Sequence, residues 1–244
     1  MQKQSYRARV LETCRDQAVK QLCSMLPGLL DKVDDALFDL ADKGENNTVQ
    51  TFYFDAMREV RLCRADIESD FAECLNREVE ERLTPPRVEE SLSLEDTDSL
   101  VLVEHDELEE SLAVSNMAAK IRAQCKNAIF LLDKRMALLV DDGDMPAERN
   151  PLGPEVICTA FMQACRGIEA DVEVKLLILK LFDRFGSPAL ADLFDRLNAT
   201  LVEADVLPQL RASVEVRNRP NGPAGEVVSR GFSATGEGAA FVQG

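Results

Sequence analysis

Apolar residues recur every three or four positions along most of this chain, a period that commits it to helices burying one face each. Val10, Leu11, Cys14, Ala18, Leu22, Met25 and Leu26 form a first stripe, which Pro27-Gly28 is expected to end. Leu30, Val33, Leu37, Leu40 and Ala41 form a second, closed by Gly44 as a left-handed cap. Asn46, Asn47 and Thr48 then offer side-chain oxygens to the next helix start. That third helix carries Val49, Phe52, Tyr53, Ala56, Met57 and Val60 on one side and Asp55, Arg58, Glu59 and Arg61 opposite. Ile67, Phe71, Cys74, Leu75 and Val79 mark a fourth. Short turns favour antiparallel neighbours, so residues 1–82 predict an up-down N-terminal bundle.

Thr84-Pro85-Pro86 breaks the period, and residues 83–105 predict an acidic linker, with Leu100–Val103 as a brief extended piece. From Asp106 the stripe resumes through Leu108, Leu112, Ala118, Ile121, Cys125, Ile129, Leu132, Met136 and Leu139. One unbroken helix over this span would be about 50 Å long, a spine for the second half of the chain. Asp141-Asp142-Gly143 ends it, and Asn150-Pro151-Leu152-Gly153-Pro154 starts another helix, with Pro154 in the first turn. Asp171–Phe185 is apolar nearly all round, Gly186-Ser187-Pro188 predicts a stop and restart, and Leu190–Leu201 gives a last helix. Residues 106–211 therefore form the spine and the C-terminal helices. Residues 212–244 mix glycine and proline without a period and predict a disordered tail. The fold class is all-α: two antiparallel helical subdomains sharing a long spine helix.

The formal net charge of −16 opposes direct binding to nucleic acid or insertion at an anionic membrane surface. Ten acids and no lysine or arginine lie between Glu89 and Glu110, as a solvated linker and helix start or as a dock for a basic partner. The seven cysteines contain no C-x-x-C pair and fall mostly on apolar stripes, which predicts reduced thiols in a cytoplasmic protein. LLILKLF, Leu176–Phe182, is the longest apolar run and is far too short to span a bilayer.

Chemistry is sparse. The single histidine, His105, lies between Glu104 and Asp106 with Glu109 four residues on, a weak metal candidate. Asp35 and Asp39, with Asp31, Asp34 and Asp42, resemble a magnesium-holding aspartate-rich helix but equally trace the solvated face opposite an apolar stripe. No G-x-S-x-G elbow and no glycine-rich phosphate loop is present, so no cofactor is expected. The all-round apolar helix makes Leu177, Ile178 and Phe182 candidates for an interface with a protein partner or a second copy. A non-enzymatic interaction or regulatory module is the leading expectation, with a metal-dependent enzyme built on Asp31–Asp42 as its rival.

Four ordered blocks carry a resemblance: Leu26–Arg61, the run LVLVEHDELEESLAVSNM, the turn NPLGPEVICTAF (Asn150–Phe161) and EVKLLILKLFDRF. Together they resemble the N-terminal portion of the proteobacterial domain-of-unknown-function family 1631. Some relatives carry a thymidine phosphorylase label, but the glycine-and-threonine phosphate-binding run of those enzymes is missing from this chain. The resemblance also raises an adaptor role in cyclic di-GMP signalling. The arginine pair and Asp/Asn-x-Ser-x-x-Gly strand of a PilZ domain are missing too, so such a role would act through a partner.

Overall fold

A computed structural model describes residues 2–84 and 105–211, which form six α-helices: α1 (Gln2–Asp42), α2 (Asn47–Leu83), α3 (His105–Gln124), α4 (Lys126–Leu139), α5 (Pro154–Ala164) and α6 (Val172–Glu203). No strand occurs among the described residues. Residues 85–104 of the expected linker, including Leu100–Val103, and the expected tail at 212–244 lie outside them.

The stop signals fall at the chain's turns, but Gly44 ends α1 without the expected left-handed φ, its amide donating to the Ala41 carbonyl at 3.1 Å. Gly44 follows α1, and the Asn46 side chain accepts a bond from the Val49 amide at 3.0 Å, capping α2. Asp141 adopts a left-handed φ of 62°, and the Asp142 amide reaches back to the Ala137 carbonyl at 3.0 Å, a Schellman closure of α4. Asp205, φ 56°, does the same after α6, with Val206 N bonded to Leu201 O at 2.9 Å.

Two internal prolines do not stop their helices, which corrects the four-helix reading of residues 1–82. Pro27 lies inside the 41-residue α1 and Pro188 inside the 32-residue α6, so the N-terminal bundle is one long hairpin, α1 against α2. A mid-helix proline costs about 3 kcal/mol. Leu22 and Leu26 before Pro27, and Leu30, Val33 and Leu37 after it, are all essentially buried along one stripe. Each such side chain is worth about 1.5–3 kcal/mol when buried, so unbroken packing outweighs the lost hydrogen bond. At Pro188, Phe182, Leu190, Leu193 and Phe194 repeat the argument, and the Ser187 hydroxyl donates to the Asp183 carbonyl one turn back. Both prolines lie close to one helix crossing: Gln21 donates to the Ala189 carbonyl at 3.3 Å, and a Cβ on Gly186 would lie 3.2 Å from the Met25 methyl.

The expected spine is interrupted at Cys125, whose φ of −101° and ψ of 25° leave the helical basin. The break lets α3 pack on α5 and α6 while α4 packs on α6 and touches α1. It also lets α1 meet α6 and α2 meet α5, so residues expected in two subdomains share one core. At its centre Phe161 of α5 stacks on Phe182 of α6, ring centroids 4.2 Å apart, and meets Phe71 of α2 edge-on at 6.1 Å.

Candidate functional site

The aspartate-bearing face of α1 is engaged by α2. Arg61 grips Asp34 with two bonds, 2.5 and 2.7 Å, and Arg64 reaches Asp31 at 2.7 Å, the Pro27 carbonyl at 3.0 Å and Glu68. The hydrogen bond to Asp34 holds Arg61 above its ordinary pKa, and the bond to Asp31 does the same for Arg64. Asp35 pairs with Lys32 at 3.1 Å and Asp39 with Lys43 at 3.9 Å. His105 opens α3, 82% exposed, its Nε2 3.1 Å from Glu109. Among the described residues no three His, Cys, Asp or Glu side chains converge as a metal ion requires, and Asp35, Asp39 and His105 are not brought together. Of the three interface candidates, Ile178 and Phe182 are interior, covered by this chain's own helices, and Leu177 is half-buried.

The NPLGPE turn instead builds a half-buried polar network. Asn150, fully buried, accepts from the Leu152 amide at 2.9 Å and donates to Asp133 at 2.7 Å. Arg122 of α3 clasps Glu155 with bonds of 2.9 and 2.7 Å, Asp133 of α4 at 2.9 Å and the Ala147 carbonyl at 2.9 Å. One guanidinium thus serves two carboxylates. Burial works against the Arg122 cation, yet its two acids more than restore it and its pKa lies above the ordinary value. Asp133 is held above the usual carboxylate range because burial, aided by Glu155, outweighs Asn150 and Arg122. Every strong donor here is spent on joining α3, α4 and α5, so the network fixes the fold rather than presenting a reactive group.

A second buried cation closes the end of α6. Arg135, 3% exposed, donates to the Asn198 side chain, to Val206 O at 3.2 Å and to Leu207 O at 3.4 Å. Burial lowers its pKa. Among the described residues no carboxylate pairs with it; carbonyl oxygens beyond the C-terminal end of α6 balance the charge instead. Tyr6 adds a bond to the Ala204 carbonyl at 3.1 Å, tying α1 to the same turn.

One surface feature with the shape of a binding site is a cleft of about 450 Å³ between α2 and the turn entering α6. Phe52, Ala56 and Val174 form its apolar floor, and Leu62, 64% exposed, stands at its mouth. Asp55, Glu59, Glu169 and Asp171 border it, with Arg58 as the one cation. Asp171 also caps α6, accepting from the Glu173 amide at 3.0 Å, and the neighbouring Tyr53 hydroxyl donates to Glu173 at 2.9 Å. Cys63 is raised first by burial, then by its bond to Glu59 and the fields of Glu59, Asp66 and Glu169. Sequence reasoning missed this cleft, although Leu62 was a signal: a large apolar residue placed among Arg58, Glu59 and Arg61, off the buried stripe. Leu108 and Leu112 of α3 depart the other way, since the stripe implies burial and they are 58% and 60% exposed.

Residues 7–205 match the family described as "Protein of unknown function (DUF1631) N-terminal domain", and the chain belongs to that family. No match occurs among curated proteins or among solved structures. The NPLGPE turn, Asn150–Glu155, lies within the matched residues and coincides with the Arg122 network. No helix of the described residues is long and apolar enough to cross a membrane.

Proposed function

We propose that this chain is a non-enzymatic protein-interaction module acting in the cytoplasm, a rigid helical body that presents surface side chains to another protein. The observation that carries the reading is the placement of Leu62, Leu108 and Leu112, at 64%, 58% and 60% respectively the three most exposed large apolar side chains among the described residues. An isolated exposed leucine is ordinary, but Leu108 and Leu112 lie one helical turn apart and form a shared surface stripe. Such stripes gain free energy when a partner removes them from water. The strongest polar groups are meanwhile committed to internal bonds at Arg122 and Arg135. Seven free thiols, four of them buried, support a reducing setting.

Quantitative affinity capture of the wild type against Leu108→Ser/Leu112→Ser tests this reading. Both sites are exposed, so the melting temperature should hold. A discrete set of proteins retained by the wild type and lost from the variant supports the module; identical captured sets contradict it.

A further inference from the structure

We infer that the cleft between α2 and the turn at 168–174 receives a basic amphipathic helix of a partner protein. This rests on the interaction-module reading and names the partner's chemistry. Three features of the cleft lead to it. Its α2 wall presents Phe52, Asp55, Glu59 and Leu62, residues on one side of the helix that together span about 15 Å. That length matches roughly three turns of a docking helix laid alongside α2, which would offer its own side chains at a spacing of three and four.

The floor is apolar and the rim is acidic. Val174 is fully buried and Ala56 nearly so, while Phe52 is half-buried and Leu62 mostly in water, so an entering apolar side chain would gain its burial against Phe52 and Leu62. Around that floor four carboxylates face one guanidinium. Among the described residues none of Asp55, Glu59, Glu169 or Asp171 takes part in an ion pair, in contrast to Asp31 and Asp34 on α1, which arginines of α2 already satisfy. A neutral or acidic occupant would strip water from these carboxylates without replacing it, whereas lysines or arginines flanking an apolar stripe would pair with them. Phosphate-bearing surfaces are repelled by the same rim. Beside Leu62, the Cys63 thiol donates to Glu59 at 3.4 Å and is raised first by burial and then by Glu59, Asp66 and Glu169.

A net charge of −16 attracts any polycation weakly, so the test separates the cleft from the general field. The probe is a fluorescein-labelled helical peptide with one leucine face and one lysine face, beside a counterpart carrying glutamate for lysine. Fluorescence anisotropy follows binding to the wild type, to Glu59→Gln/Glu169→Gln, to Leu62→Ser, and to Glu73→Gln/Glu203→Gln, which removes equal charge at exposed positions elsewhere.

The cleft pair should weaken the lysine peptide about threefold to thirtyfold, and the distant pair less than about twofold. Leu62→Ser should cost roughly tenfold, and the glutamate peptide should not bind. Circular dichroism melting checks each fold, with Leu62→Ala as the milder replacement should Leu62→Ser unfold. Equal weakening by the two charge pairs, or unchanged binding when Leu62 is replaced, overturns the assignment. Such a result leaves the module reading intact, because that reading is tested separately by capture with Leu108→Ser/Leu112→Ser.

Discussion

Replacing Arg122 by alanine should expose how much of this fold depends on one shared guanidinium. The substitution removes both bonds to Glu155, the bond to Asp133 and the bond to the Ala147 carbonyl. It leaves two carboxylates facing each other with side chains only 15% and 21% exposed. Breaking a fully buried pair costs about 3–5 kcal/mol, and the residual solvent access here reduces that to about 2–4 kcal/mol. For a chain of this size the loss corresponds to a fall of roughly 5–15 °C in melting temperature. Urea denaturation of wild type and variant measures it directly.

The pH dependence supplies the sharper check. Without Arg122, Asp133 loses the cation that opposes its upward shift, so its folded-state pKa rises further above the unfolded value and folding takes up a proton as pH falls. Stability is then gained below the raised folded pKa and lost as pH climbs through it. In the wild type Asp133 is already raised, but less so, because Arg122 and Asn150 oppose the shift. The stability gap between the two proteins should therefore narrow as pH falls from neutral toward the ordinary carboxylate range. Adding Asp133→Asn and Glu155→Gln to Arg122→Ala should recover part of the loss. A deficit under about 1 kcal/mol, or a gap independent of pH, would refute the reasoning.

Gly153→Ala should cost about 1–3 kcal/mol by chemical denaturation, since its Cβ would lie 3.0 Å from Glu155 Oε2 and 3.1 Å from the Asn150 carbonyl; wild-type stability would contradict this. Arg135→Met should cost about 2–3 kcal/mol and speed proteolytic cleavage between Ala204 and Arg211, because it strips donors from the Val206 and Leu207 carbonyls; unchanged cleavage would show that other contacts hold the turn. Burial pushes Cys14 up to about 11 and Cys165 up to about 12, and raises Cys158 as well. These thiols should resist iodoacetamide at roughly pH 8 until urea unfolds the chain, as read by intact mass. Native labelling of Cys165 at the rate of a free thiol would contradict the packing.

Helix ends were legible where a local rule operates alone. Asn46 and Pro154 each satisfy or remove a backbone group at a terminus and act where they were read, whereas Gly44 marks the end of α1 without the left-handed φ expected of it. Pro27 and Pro188 obey the same local rule but lose to burial along α1 and α6, a contest that depends on helices the sequence does not place beside them. The interruption at Cys125 carries neither glycine nor proline and follows from packing α3 and α4 in different directions. The polar network was hidden for a related reason: Arg122 and Glu155 are 33 positions apart, and nothing in their spacing pairs them. Ile178 and Phe182 were marked as interface candidates because a helix apolar on all sides needs full cover, and α5 supplies part of it through Phe161. The cleft was half-visible, since Leu62 breaks its helix's pattern while the acids opposite it come from a turn more than a hundred residues away.

Photo-crosslinking in living cells asks whether the exposed leucines meet another protein. A photoreactive amino acid is placed in turn at Leu62, Leu108 and Leu112, and at the exposed polar position Lys43 as control. Discrete, saturable protein adducts are expected from the leucine positions and none from Lys43. Adducts that are absent from all three leucines, or that form equally from Lys43, would contradict an interaction module built on these surfaces.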